Sequence, residues 1–213
     1  MIVFIPIKEN SQRVSRKNFR IFEGEPLYKH TLLKYSLDQV YVDTDSVEIY
    51  EGITKDARLE NVTVFNRSKH LVGDDISVCD LIMDFINRFE IRETIAQIHV
   101  TSPFLDRETV SRAHSFIGNY DSVVSCTKHN SRFWRKENYG YCPVNHNPMK
   151  MQQTQDLPEI YEENSAFYVF KPETVMSIGN RIGKNPYFYE ISFPNNIDID
   201  DESDWQMCKE ISE

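Results

Sequence analysis

The chain has 213 residues, 40% of them hydrophobic and 27% charged, and a formal net charge of -9. That length suits one α/β domain with a sizeable core, and the acidic balance argues against bulk binding to nucleic acid or a membrane surface. No apolar run approaches the roughly 20 residues of a membrane-spanning helix, no charged leader opens the chain, and Cys79, Cys126, Cys142 and Cys208 are widely spaced without a CxxC pair. Reduced thiols and a cytoplasmic location are therefore expected, with neither disulfides nor a zinc site.

Ile2 to Ile7 is an apolar, β-branched run, the pattern of a strand buried on both faces. The chain then turns polar and basic through Lys8, Arg13, Arg16, Lys17 and Arg20, against the single Glu9. A buried first strand running into a cationic loop is a common way to hold an anion at the carboxyl edge of a sheet. A solvated basic turn is the plainer reading of the charges alone. Pro26 to Leu37 has helical spacing with proline in the first turn. A strand is predicted over Gln39 to Thr44, a helix from Val47 to about Ala57, and a third strand over Val62 to Phe65. Ile76 to Phe89 is a strongly amphipathic helix. A strand over Ala96 to Val100 leads into Thr101-Ser102-Pro103, a helix with an acidic start covers Asp106 to Ile117, and Ser122 to Thr127 is a fifth strand.

This alternation predicts one domain over residues 1–213 with a mostly parallel sheet in a three-layer sandwich. Ligands in such sheets sit beyond the carboxyl ends of the strands, so Lys8, Asp45, Arg67 and Thr101 are expected to converge on one crevice. From about Lys128 to Asn164 the rhythm breaks, over a length too great for an ordinary connection. Its aromatics, among them Phe133, Trp134, Tyr139 and Tyr141, favour an arm packing on a second subunit over a floppy excursion. Strand character returns at Ala166 to Phe170, then a helix over Pro172 to Ile178, a strand at Phe188 to Phe193 and a closing helix after Asp201.

Asp198-Ile199-Asp200 is the second place where chemistry is expected. On an extended segment residues two apart point the same way, so both carboxylates would share one side. Such a pair suits Mg²⁺, which takes one or two protein carboxylates and fills its shell with phosphate and water. An acidic helix start is the competing reading, and it accounts for Asp201, Glu202 and Asp204. Together the cationic loop and the carboxylate pair make a nucleoside triphosphate site. No GxxxxGK[ST] and no GxGxxG are present, which excludes a P-loop and a dinucleotide fingerprint. His99 and His129 belong to no nucleophilic arrangement.

The opening IPIKENSQRVSRKN resembles the A-R-x-x-S-K-R-x-P-x-K-N signature of the acylneuraminate (CMP-sialic acid) cytidylyltransferases, and five further blocks follow in that family's order. They are VDTDSVEI; Asn66-Arg67 with Leu71, Asp74, Ser77 and Asp80; Thr101-Ser102-Pro103-Phe104; QDLPEIYEENSAFYVF; and NIDIDDESDW. The resemblance implies a Rossmann-like, GT-A-type nucleotidyltransferase fold acting with Mg²⁺. It implies a sugar-acid hydroxyl that attacks the α-phosphate of CTP and releases pyrophosphate. By position, Lys8, Gln12, Arg13, Lys17 and Asn18 would line the nucleotide and its phosphates, and Arg67 and Ser77 would help hold base and ribose. His99, Thr101, Ser102, Tyr161 and Asn164 would meet the sugar acid, and Asp198 and Asp200 the metal. The 128–164 segment matches the family's dimerisation arm, implying a homodimer.

Several residues depart from the pattern. Lys8 stands for an arginine, turning a fork into a point charge, and Gln12 stands for a phosphate-facing lysine. His99 replaces a glutamine, Gln153-Thr154 an arginine pair, and Ser165 a glycine. Three readings stay open on the sequence: transfer to a sialic-acid-like sugar acid, transfer to a non-sugar alcohol or phosphonate, and a nucleotide-binding relative without turnover, which Gln12 favours.

Overall fold

The computed structural model describes residues 1–213. In chain order the strands are β1 (Ile2–Ile7), β2 (Ile21–Phe22), β3 (Glu25–Pro26), β4 (Gln39–Thr44), β5 (Val62–Asn66) and β6 (Ile95–Ile98), then β7 (Ser122–His129), β8 (Trp134–Glu137), β9 (Gly140–Pro143), β10 (Ile160–Phe170) and β11 (Pro186–Glu190). The helices are α1 (Leu27–Leu33), α2 (Val47–Thr54), α3 (Val78–Phe89), α4 (Arg107–His114), α5 (Pro172–Ile178) and α6 (Glu202–Ser212). Seven strands form one sheet in the order β11-β7-β10-β6-β1-β4-β5, and only β10 runs against its neighbours.

The sheet is covered on both faces, and β1 shows why its sequence is apolar throughout. Val3, Ile5 and Ile7 pack with Leu32, Ile49 and Val110 on the side of α1, α2 and α4. Ile2 and Phe4 point the other way, onto Leu81, Phe85 and Val175 of α3 and α5. Alternating direction on a strand buried on both sides removes the usual polar positions. The Phe4 and Phe85 rings stack at 4.6 Å, a geometry that adds to simple burial.

A third, smaller cluster lies off the sheet edge. Phe22, Leu27, Ile197, Ile199, Trp205 and Cys208 pack together there. Its hairpin, β2 to β3, turns through Glu23 and Gly24 at φ 47° and 84°, the double left-handed turn that matches strand twist. This cluster ties the loop after β1 to the segment preceding α6, and so positions the site.

Element bounds differ from the sequence expectation where capping or solvent intervenes. The helix expected from Ile76 starts at Val78, because Ser77 is its N-cap and forms a reciprocal capping box with Asp80. The helix expected to Leu37 ends at Leu33, and Leu37 is exposed. Asp106 is likewise a cap, not a helical residue, and that helix ends at His114. The last strand lies at Pro186–Glu190 instead of Phe188 to Phe193. The strand expected from Ala166 begins six residues earlier at Ile160, so the excursion is shorter than 128–164 and carries its own hairpin, β8 to β9.

Candidate active site

The carboxyl ends of the parallel strands and the amino end of β10 share one rim, and two hollows open along it. The larger, of 490 Å³, is lined by Lys8, Gln12, Arg13, Lys17, Arg67 and His99, among others. The second, of 360 Å³, has no hydrophobic lining and includes Thr127, Glu162, Asn164, Asn196, Asp198 and Asp200. Thr101 of the larger hollow is tied to the segment between Asp198 and Asp200 of the smaller one, its carbonyl accepting a bond from Ile199 N at 2.8 Å.

The loop after β1 is held by its own polar groups. Asn18, buried, donates to the Lys8 carbonyl at 2.8 Å, which closes the loop on itself. Arg20 makes a two-pronged pair with Glu202 of α6 at 2.6 and 2.5 Å and lies over the Trp205 ring. From this frame Lys17 Nζ reaches the carbonyl of Ile199, and Arg13 Nη2 reaches Asp200 Oδ1 at 2.6 Å. Burial lowers the Lys17 pKa, against the opposing pull of Asp198 and Asp200. Positive charge from the start of the chain and negative charge from its far end thus meet at one point.

Asp198 and Asp200 flank the fully buried Ile199. Burial pushes the Asp198 carboxyl upward, while a Thr101 hydrogen bond and the charges of Lys17 and Arg13 hold it down. Its Oδ1 is buried with no partner. An orphaned carboxylate oxygen beside a second carboxylate is the donor set a hard cation takes. No three His, Cys, Asp or Glu side chains are placed to hold a metal ion between them. An ion here would draw its other ligands from outside the protein.

Arg67 sits at the end of β5 with its side chain fully buried. Its Nε donates to Asp43 Oδ1 at 2.5 Å, and Nη1 has no hydrogen-bond partner. Burial raises the Asp43 carboxyl, and the adjacent guanidinium opposes the shift. His99 follows β6, with Nε2 unpartnered. Burial, and then the charges of Arg181 and Lys17, lower its pKa to about 3, so the ring is neutral at ordinary pH.

Most residues singled out by sequence therefore converge, with three qualifications. Ser77 is spent on capping α3: its Oγ meets Asp80 Oδ2 at 2.8 Å, and it does not line the larger hollow. Ser102 is buried with its hydroxyl unpartnered. Tyr161 lines neither hollow; its hydroxyl donates to Glu159 at 2.5 Å. Asn164 does reach the rim and donates to Thr127 Oγ1 at 3.1 Å. The sequence reading missed that Asp74 crosses the larger hollow, accepting from Gln12 Nε2 at 2.9 Å and from Lys8 Nζ at 3.4 Å. It also missed Gln97, fully buried in an otherwise apolar strand. A polar residue two positions before His99 in such a strand was the available signal.

A mostly parallel sheet with one reversed strand, and a cationic loop facing a carboxylate pair across the rim, define an α/β nucleotidyltransferase. The solved structure of CMP:2-keto-3-deoxy-manno-octonic acid synthetase complexed with CTP shares this fold at a TM-score of 0.68 and 14% identity, over 99% of this chain and 97% of that one. The family model described as Cytidylyltransferase matches residues 2–205, and the chain belongs to that family. It is 30% identical over 211 residues to N-acylneuraminate cytidylyltransferase A of Danio rerio, covering 94% of this chain and 48% of that protein. It is 26% identical over 234 residues to the CMP-N,N'-diacetyllegionaminic acid synthase of Legionella pneumophila, covering 100% and 96%. The chain spans about half the length of the neuraminate relatives it matches.

Proposed function

We propose that this protein transfers CMP from CTP to a nonulosonate-type sugar acid and releases pyrophosphate, with Mg²⁺, as a cytoplasmic homodimer supplying surface glycan synthesis. The observation that carries the reading is the meeting of Lys17 and Arg13 with the Asp198 to Asp200 segment. Family membership, and similarity to relatives named for neuraminate, legionaminate and pseudaminate, support the acceptor class. Four free cysteines fit a reducing compartment, and no helix is long and apolar enough to cross a membrane.

In this reading the nucleotide fills the larger hollow. Arg67, whose Nη1 lies 3.8 Å from Asp45 Oδ2, stands at the base end, and Lys8, Arg13 and Lys17 face the triphosphate. The acceptor lies at the junction of the hollows, against His99, Thr101 and Asn164. Asp198 and Asp200 would hold Mg²⁺, which neutralises phosphate charge when bound. The remaining work is positioning: the acceptor hydroxyl is presented to the α-phosphorus, its P–O bond forms as the bond to pyrophosphate breaks, its proton passes to water or the departing pyrophosphate, and the cationic loop stabilises the leaving charge. No side chain need form a covalent intermediate.

The test pairs two measurements. Titration with the four nucleoside triphosphates is expected to show a clear preference for CTP. An acceptor panel of neuraminate, legionaminate and pseudaminate acids, with one alcohol and one phosphonate, is expected to yield pyrophosphate with a sugar acid. CTP binding without pyrophosphate from any acceptor would instead establish the silent relative that Gln12 suggests. Pyrophosphate from the phosphonate or alcohol alone would move the acceptor class.

A further inference from the structure

Three groups with unmet hydrogen-bonding capacity gather on one face of the sheet, and one of them, His99, also lines the larger hollow. Arg181 follows α5 and is only partly buried. One of its nitrogens donates to Gln97 Oε1, and its guanidinium lies 3.5 Å over the Tyr168 ring. No carboxylate pairs with it. Gln97 is fully buried, and its Nε2 has no partner. His99, two residues on and therefore on the same face of the strand, has its Nε2 unpartnered. Burial keeps this ring neutral, and the charges of Arg181 and Lys17 add to the effect.

A guanidinium bonded to Gln97 alone and a carboxamide N–H without an acceptor, beside a neutral imidazole, ask for an anionic oxygen ligand. A cation would be repelled by Arg181, and an apolar group would leave the donors unpaired. The rim above is crowded with the opposite sign. Glu162, Glu163, Asp198, Asp200 and Asp204 all border the smaller hollow. The acid group of an acidic acceptor cannot rest there and must turn toward a cation. Tyr168 links the two places: its ring carries Arg181, and its hydroxyl contacts Glu163 and Ser165 at that hollow's edge.

We propose that Arg181, with Gln97 and His99, forms the subsite for the acceptor's carboxylate and so makes this chain specific for sugar acids over neutral sugars. The assignment rests on the sugar-acid reading of the site. Arg181 offers a planar fork to the two carboxylate oxygens, the buried Gln97 amide fixes the fork's orientation, and Tyr168 supports it from behind.

The test compares each panel acid with its methyl ester, on the wild type, Arg181→Met and Arg181→Lys. Methionine keeps much of the packing on Tyr168, and lysine keeps the charge without the fork. Arg181→Met is expected to raise KM for the acid about 30-fold while leaving CTP affinity and the weak use of the ester unchanged, and Arg181→Lys should recover part of the loss. An equal effect on acid and ester, or an acid KM within threefold of wild type, would overturn the subsite. Should no panel acid be turned over, the acceptor reading fails by itself and pyruvate decides the subsite. As a minimal 2-keto acid it should shift the His99 ring resonances of the wild type and not of Arg181→Met. The same response in both proteins, or none in either, counts against the subsite.

Discussion

Asp200 illustrates how little stability a reactive carboxylate need contribute. It is half exposed and paired with the exposed Arg13, an arrangement that contributes at most about 1 kcal/mol. Asp200→Asn should therefore stay folded with a nearly unchanged unfolding midpoint, while Mg²⁺-dependent turnover falls about 100-fold or more. Retained turnover would remove the metal assignment. His99 gives a pH signature. Burial lowers its folded-state pKa to about 3, below the ordinary imidazole value of 6.5, so the unfolded chain takes up a proton in that interval and the folded one does not. The stability it contributes is complete above pH 6.5 and declines as pH falls toward 3. His99→Gln should lack this decline, and between pH 7 and 5 wild type should lose about 2 kcal/mol relative to the variant in urea titrations. Parallel pH curves would mean that the ring is not buried neutral. Ser165 sits at φ 59°, where glycine is at ease and serine is strained; the conformation accounts for the glycine of the resembling pattern, and nothing in the structure explains the serine.

At the level of elements, the carboxylate segment depends on the small cluster off the sheet edge. Ile199 is the anchor, fully buried among Phe22, Leu27 and Trp205 while its backbone engages Thr101 and Lys17. Ile199→Ala should cost about 2–4 kcal/mol and raise the Mg²⁺ concentration for half-maximal turnover several-fold, with metal-free CTP binding little altered. An unchanged metal requirement would show that the cluster does not position the carboxylates. The same scale shows what was legible in the sequence. β1, β4 and β6 declared themselves because burial on both faces leaves continuous apolar runs. The first half of β10, Ile160 to Ser165, did not: after Ile160 it carries no aliphatic residue and none of the six is buried, and its strand character comes from pairing with β7. The β8 strand, exposed at all four positions, offers no apolar alternation to read. For the site, the cationic loop was visible from its place after the first strand. The contact of Asp74 with Gln12 spans 62 positions and has no local signal. The Arg181 to Gln97 contact spans 84 and is equally silent.

For the whole molecule, the arm is where apolar surface remains uncovered. Tyr139 and Met151 are fully exposed, and Trp134, Tyr141 and Met149 are also open to solvent, a concentration of large side chains that interfaces favour. Sedimentation equilibrium is expected to give a dimer for the wild type and a monomer for the double variant Tyr139→Asp, Tyr141→Asp. A monomeric wild type would remove the arm's assigned role.

Asp74 adds a kinetic consequence to the proposed reaction. Lys8 and Gln12 already grip a carboxylate before any nucleotide arrives, so the incoming triphosphate has to evict a tethered rival. That rival stays within reach throughout turnover, at the high effective concentration of any linked group. On the proposed reaction, departing pyrophosphate would hand Lys8 and Gln12 back to this aspartate, so that triphosphate entry and product exit would both be exchanges of one anion for another.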